Sequence, residues 1–306
     1  EMCIRDRTRI VDMKLLKLLL QAARQWYQDD PWRHAATIAY YAIFSLPGLL
    51  IIIIWTAGTL FGQDAIQGQL SRNLGDLLGD NGAQAIESLI VNARLDQENH
   101  WMKALGIGTL LFGATTLFLQ LQTSLNSIWG VRSAPKHGLI KFLADRATSL
   151  GIIIVIGFLL LISLIISTVL SAFGLWFAAL FGEHGLVIIR GLNLVISLAV
   201  ISLLFAIMFK VLPDVEISWR SVWVGALSAG LLFTLGKTVL SLYFAYSNPG
   251  SGFGAASSVI LIMLWVNYTC LILFFGANLA QAYAVSHGHP IKPSEHATRI
   301  KEASPD

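Results

Sequence analysis

Six stretches of this chain stay apolar for longer than a soluble fold uses: Ala36–Phe61, Met102–Ser127, Ala147–Ala172, Leu186–Phe209, Trp219–Tyr246 and Ala255–Ala284. A helix needs about 20 mainly apolar residues to cross a bilayer core. Inside that core only helices or closed barrels keep every backbone N–H and C=O paired. None of the eighteen Asp and Glu residues falls within the six stretches. Charged residues make up 13% of the chain, against about 25% in soluble proteins, too few to cover a water-facing surface of this size. The sequence therefore predicts an all-α, polytopic membrane protein with six transmembrane helices. Two cysteines, Cys3 and Cys270, exclude a disulfide scaffold.

Orientation follows from the basic residues, which mark the cytoplasmic side of short loops. Sixteen of the twenty-one Lys and Arg lie in the N-terminal segment, the loop after the second span, the turn after the fourth and the tail. The opposite side carries Arg72 and Arg94. Both termini are thus predicted to be cytoplasmic, and an even number of spans agrees by returning the chain to the side on which it began. Trp101, Trp129, Trp176, Trp219 and Trp223 stand at helix ends, where their amphipathic rings are expected at headgroup level.

Residues 1–13 are expected to be a non-native or disordered leader, because Glu1–Arg7 resembles translated sequencing-adapter DNA. A single six-span domain is then expected over 14–285, with a polar cytoplasmic tail over 286–306. Within Lys14–Gln28, Lys14, Lys17, Gln21, Arg24 and Gln28 recur at helical spacing opposite Leu15, Leu18, Leu19, Ala22, Ala23 and Trp26. That pattern predicts a cytoplasmic amphipathic helix in the membrane interface. The external segment 62–100 is predicted to hold two short helices around Gly79-Asp80-Asn81-Gly82. Small residues four apart (Gly225/Ala229, Ala226/Gly230, Gly276/Ala280/Ala284) predict close approach of the last two spans.

Catalytic signatures are missing from the sequence. The seven histidines form no HExxH and no dense His/Asp cluster. Leu235-Gly236-Lys237-Thr238 lacks the glycine that a phosphate-binding loop needs, since that place is Leu231. No catalytic residue, cofactor site or metal site is assigned. Polar residues inside spans remain, and these are functional candidates by position. Arg190 and Lys237 are cations within the fourth and fifth spans, about 6 and 14 Å from their outer ends at 1.5 Å per residue. Each can hold an anionic group or snorkel outward. Pro47 frees a carbonyl in the first span, and Ser45 is placed to re-satisfy the local backbone. Asn267 and Asn278 in the last span, with Gln120, Gln122, Asn126 and Asn193, suit interhelical hydrogen bonds or ligand contacts.

The strings Ala39-Tyr40-Tyr41-Ala42-Ile43-Phe44-Ser45-Leu46-Pro47, Leu125-Asn126-Ser127-Ile128-Trp129-Gly130-Val131 and Leu212-Pro213-Asp214-Val215 with Trp219-Arg220 resemble the YihY/BrkB family. So do Leu235-Gly236-Lys237, Leu264-Trp265-Val266-Asn267-Tyr268 and Phe275-Gly276-Ala277, over residues 25–285 in order. Asn278 departs from the family, which often has an acidic residue there. The resemblance implies a six-span protein of the bacterial inner membrane. It brings the labels ribonuclease BN and virulence or serum-resistance factor, but the basic residues here sit in short juxtamembrane loops and form no extended RNA groove.

The leading expectation is a transporter, flippase-like exporter or envelope-maintenance factor for an anionic amphiphile or lipid. Lys237 and Arg190 would bind the anion, and Ser45 and Pro47 would shape a movable helix. The alternative is a non-transporting membrane scaffold. Expected partners are membrane lipids with anionic headgroups, with self-association as a homo-oligomer open; no nucleic acid is expected.

Overall fold

A computed structural model describes residues 16–45, 116–133, 183–247, 257–288, 291–294 and 297–300, with Gly113 and Gly151 as isolated positions. Residues 16–28 (α1), 31–45 (α2) and 116–128 (α3) are helical. Glu183–Val211 (α4), Trp219–Ser247 (α5) and Ser257–Ser286 (α6) are the long helices. Three stretches within them, Gly191–Val211, Trp219–Leu240 and Val259–Ser286, are long and apolar enough to cross a membrane. They match the fourth, fifth and sixth expected spans. The first and second spans are described in part, as α2 and α3. The third span, the external segment 62–100 and residues 1–15 lie outside the described residues.

Local chemistry sets the breaks. Asp30 adopts φ 48°, a left-handed conformation that Asp tolerates better than most residues. It separates α1 from α2. Pro31 follows at the first helical position, where its missing N–H costs nothing, and the Arg33 and His34 amides donate to Asp30 O. Gly130 (φ 65°) ends α3 and Gly288 (φ 71°) ends α6, each in the left-handed stop that favours glycine.

α5 packs against both α4 and α6. A Cβ on Gly225 would collide with Gly276 O and stand 2.8 Å from Ala280 Cβ. Such close backbone approach is how helices gain van der Waals contact where lipid offers no hydrophobic drive to associate. Phe205, Phe209, Leu125, Trp129, Val222 and Phe274 fill the core around this contact. Leu227, Leu231, Leu235 and Val239 form an exposed apolar row down the other side of α5, four residues apart as one helix face requires.

The expected polar tail folds back onto the bundle. Val131–Ser133 (β1) pairs antiparallel with Ala297–Arg299 (β4), and Val215–Glu216 (β2) with Lys292–Pro293 (β3). Ser294 N donates to Asp214 O, Ile300 N to Gly130 O and Arg299 Nη2 to Ile291 O. Strands of two or three residues carry no readable period-2 alternation, so the sequence pattern gave no sign of them.

α1 docks through Ala22 against Leu279 and Ala282 of α6, with Leu18 and Leu19 beside them. Trp26 Nε1 donates to Leu271 O at 3.1 Å, and its ring meets Phe275 edge-on. Leu16, Leu20 and Tyr27 are exposed on a second face, and Lys17, Gln21, Arg24 and Gln28 on a third. Much of the apolar face predicted to rest in lipid is thus seated on the last helix.

Candidate functional site

The strand-bearing end of the bundle gathers most of the described polar chemistry. Asn126, at the end of α3 and nearly buried, clasps Asp214 in the turn after α4: its Oδ1 accepts from the Asp214 amide and its Nδ2 donates to Asp214 Oδ2. Three residues on, Trp129 Nε1 donates to Ala277 O of α6 at 3.1 Å, and its ring packs edge-on against Phe209. Trp129 is 5% exposed. The headgroup position expected for it is therefore incorrect: its N–H finds a carbonyl inside the bundle, as a buried indole must. Trp219 and Trp223 are exposed, as a headgroup position requires.

Beside this clasp, Glu216, Ile217, Ser218, Trp219, Arg220, Gly288 and Lys292 line a cleft of about 820 Å³. Lys210 Nζ donates to Ile217 O at 2.7 Å and lies 5.8 Å from the centre of the Trp219 ring. Arg220 and Lys292 are exposed. Ser218 and Ser221 share a hydrogen bond at the start of α5. The helix dipole there adds partial positive charge, so the cleft combines two exposed cations, an aromatic wall and one carboxylate.

At the α1–α2 break, His34 Nδ1 and the buried Ser124 Oγ are 3.2 Å apart, and the imidazole rests edge-on against Phe274. Burial, then the Arg33 charge, pushes the His34 pKa down from its ordinary value, with Asp30 acting the other way. Asp29 shifts upward, because burial outweighs a hydrogen bond from Asn278; Asp30 adds to the rise. Asn278 is fully buried, and its Nδ2 also donates to Phe274 O at 3.2 Å.

The sequence-selected residues lie on α2, α4, α5 and α6 or outside the described residues. Lys237 is exposed on α5 and makes no hydrogen bond or ion pair among the described residues. It lies 18 residues beyond Trp219, about 27 Å along the axis, close to the roughly 30 Å of a hydrocarbon core. Arg190 lies on α4, with its side chain outside the description. Ser45 is buried and donates to Ala42 O at 3.2 Å, not to the Ile43 carbonyl that Pro47 would free; Pro47 lies outside the described residues. Asn267 is half-buried midway along α6. No group of three or more His, Cys, Asp or Glu able to hold a metal ion occurs among the described residues.

A family model described as virulence factor BrkB matches residues 22–301. The UPF0761 membrane protein MS0032 of Mannheimia succiniciproducens is 24% identical over 277 residues, covering 89% of this chain and 91% of its own. A UPF0761 membrane protein of Psychromonas ingrahamii is 26% identical over 269 residues, 85% of each chain. One of Azotobacter vinelandii is 27% identical over 259 residues, 82% of this chain and 59% of the relative, which is therefore much longer. No solved structure matches. Two of the strings singled out in the sequence meet others in space: Asn126 with Asp214, and Trp129 with Ala277.

Proposed function

The chain belongs to the BrkB virulence-factor family of membrane proteins, and on that footing we propose that it binds anionic amphiphiles, lipids foremost, and moves them between leaflets of the bacterial inner membrane. It acts without catalysing a covalent step, with both termini in the cytoplasm. One observation carries this reading: α5 exposes a cation toward each end of its outward side. Arg220 stands in the cleft with Trp219 and Lys292, and Lys237 lies about 25 Å farther along the axis. An unpaired cation within a bilayer is costly unless it reaches headgroups or an anion. Phosphate-bearing headgroups supply that partner at both levels, and the Leu227–Val239 row offers acyl chains a surface between them.

In this reading the cleft collects the headgroup at the cytoplasmic face, Lys237 with Arg190 receives it at the outer face, and Ser45 with Pro47 lets the first span yield. Native mass spectrometry of protein extracted in mild detergent tests the first step. An anionic phospholipid should remain bound to the wild type and be lost from the Arg220→Ala, Lys292→Ala double variant. Equal retention by both would remove the cleft from the path.

A second reading, a non-transporting scaffold, is favoured by the backbone contact between Gly225 and Gly276, which leaves α5 and α6 no room to part. It predicts lipid retention without lipid movement.

A further inference from the structure

Asn278 leaves a buried account unbalanced. Its Nδ2 donates to Phe274 O, yet its Oδ1, on a residue 0% exposed, is buried with no hydrogen-bond partner among the described residues. The Asp29 side chain, at the end of the docked α1, lies within interaction range of the same amide. A buried carbonyl without a donor forfeits about 1–3 kcal/mol, and a carboxylate has no proton to offer it. A neutral carboxyl does.

We propose that Asp29 and Asn278 together form a proton-binding site that fastens α1 to the last span. The proton comes from solvent on the half-exposed side of Asp29. Bound, it lets the Asp29 O–H donate to Asn278 Oδ1 while the other Asp29 oxygen accepts from Nδ2, an acid–amide pair. The second Nδ2 hydrogen stays on Phe274 O. The upward shift of Asp29 has the sign this requires. Gln25 Oε1, one turn earlier on the docked side of α1, is another buried oxygen without a partner among the described residues. A single proton serves one acceptor, and Asn278 is the amide that acts on Asp29. Among the described residues, Asp30 acts on Asp29 directly, and Arg33 and His34 follow it on the chain. From α6, Phe274, Phe275, Leu279 and Ala282 bring no charge to this face.

For a carboxyl with a raised pKa, the stabilisation is complete below the ordinary value of 3.8 and is lost as pH rises through the raised one. The α1–α6 contact therefore loosens as pH rises.

Infrared difference spectra of the full-length protein, titrated with base, read the proton directly. The wild type should show the C=O stretch of a protonated carboxylic acid disappearing above the ordinary carboxylate range. Asp29→Asn, whose amide can donate to Oδ1 permanently, should lack that band, and its α1 should exchange backbone hydrogens at a rate independent of Asp29 titration. Asn278→Ala should shift the band by removing its hydrogen-bond partner. A band that persists in Asp29→Asn, no such band in the wild type, or a band unmoved in Asn278→Ala would each overturn the proposal.

Discussion

Asn126 and Asp214 lie 88 residues apart and are joined by two hydrogen bonds, from the Asp214 amide to Asn126 Oδ1 at 2.8 Å and from Asn126 Nδ2 to Asp214 Oδ2 at 3.0 Å. Truncation by Asn126→Ala removes both bonds to Asp214, so a loss of about 1–3 kcal/mol is expected. Thermal unfolding of the purified protein in detergent measures it. Asn126→Asp should lose more, because two carboxylates would then face each other. If both variants unfold with the wild type, the clasp contributes no stability.

Trp129 offers a sharper contrast. Trp129→Phe keeps an aromatic ring beside Phe209 and gives up the bond to Ala277 O, an expected cost of about 1 kcal/mol. Trp129→Ala empties the site and should cost about 3–5 kcal/mol. A headgroup tryptophan would tolerate either change, so the same melting experiment separates the two positions.

The contact between α5 and α6 should resist any added side chain at Gly225. Gly225→Val forces the branched carbon into Gly276 O and Ala280, with an expected penalty of about 1–3 kcal/mol or more. Gly191 has nothing within 4 Å of where a Cβ would stand. Gly191→Ala should therefore be neutral or gain about 0.5–1 kcal/mol. Comparable destabilisation by both would contradict the packing.

His34 is expected to shape the acid side of the stability profile. Its folded pKa is depressed below 6.5, mainly by burial. Its contribution is therefore complete above 6.5 and is lost as pH falls through the depressed value. Melting temperatures of wild type and His34→Gln should diverge at neutral pH and approach each other in acid. A constant difference would assign His34 a role independent of its charge.

What was legible in the sequence followed from length and sign. The apolar runs over α4, α5 and α6 gave three helices within a few residues of their ends, and Gly225, Gly276 and Ala280 announced the close crossing. Pairings across long separations were not legible. Nothing near Asn126 points to Asp214, and nothing in Lys292 or Thr298 signals a strand of two or three residues. Trp129 was misplaced because a tryptophan at a helix end looks alike in sequence whether the next layer is headgroups or another helix. Asn278 was noticed for its residue type, but its meeting with Asp29 depended on where α1 docks.

The central claim is movement of an anionic amphiphile along this bundle. Its most direct test is transbilayer movement of a fluorescent anionic phospholipid in vesicles holding the purified protein, followed by loss of signal to an external quencher. Movement should be faster than in protein-free vesicles, exceed that of an uncharged analogue, and fall in Lys237→Ala and Arg190→Ala. Movement no faster than in empty vesicles, with the protein folded and lipid still bound, would contradict it and leave the scaffold.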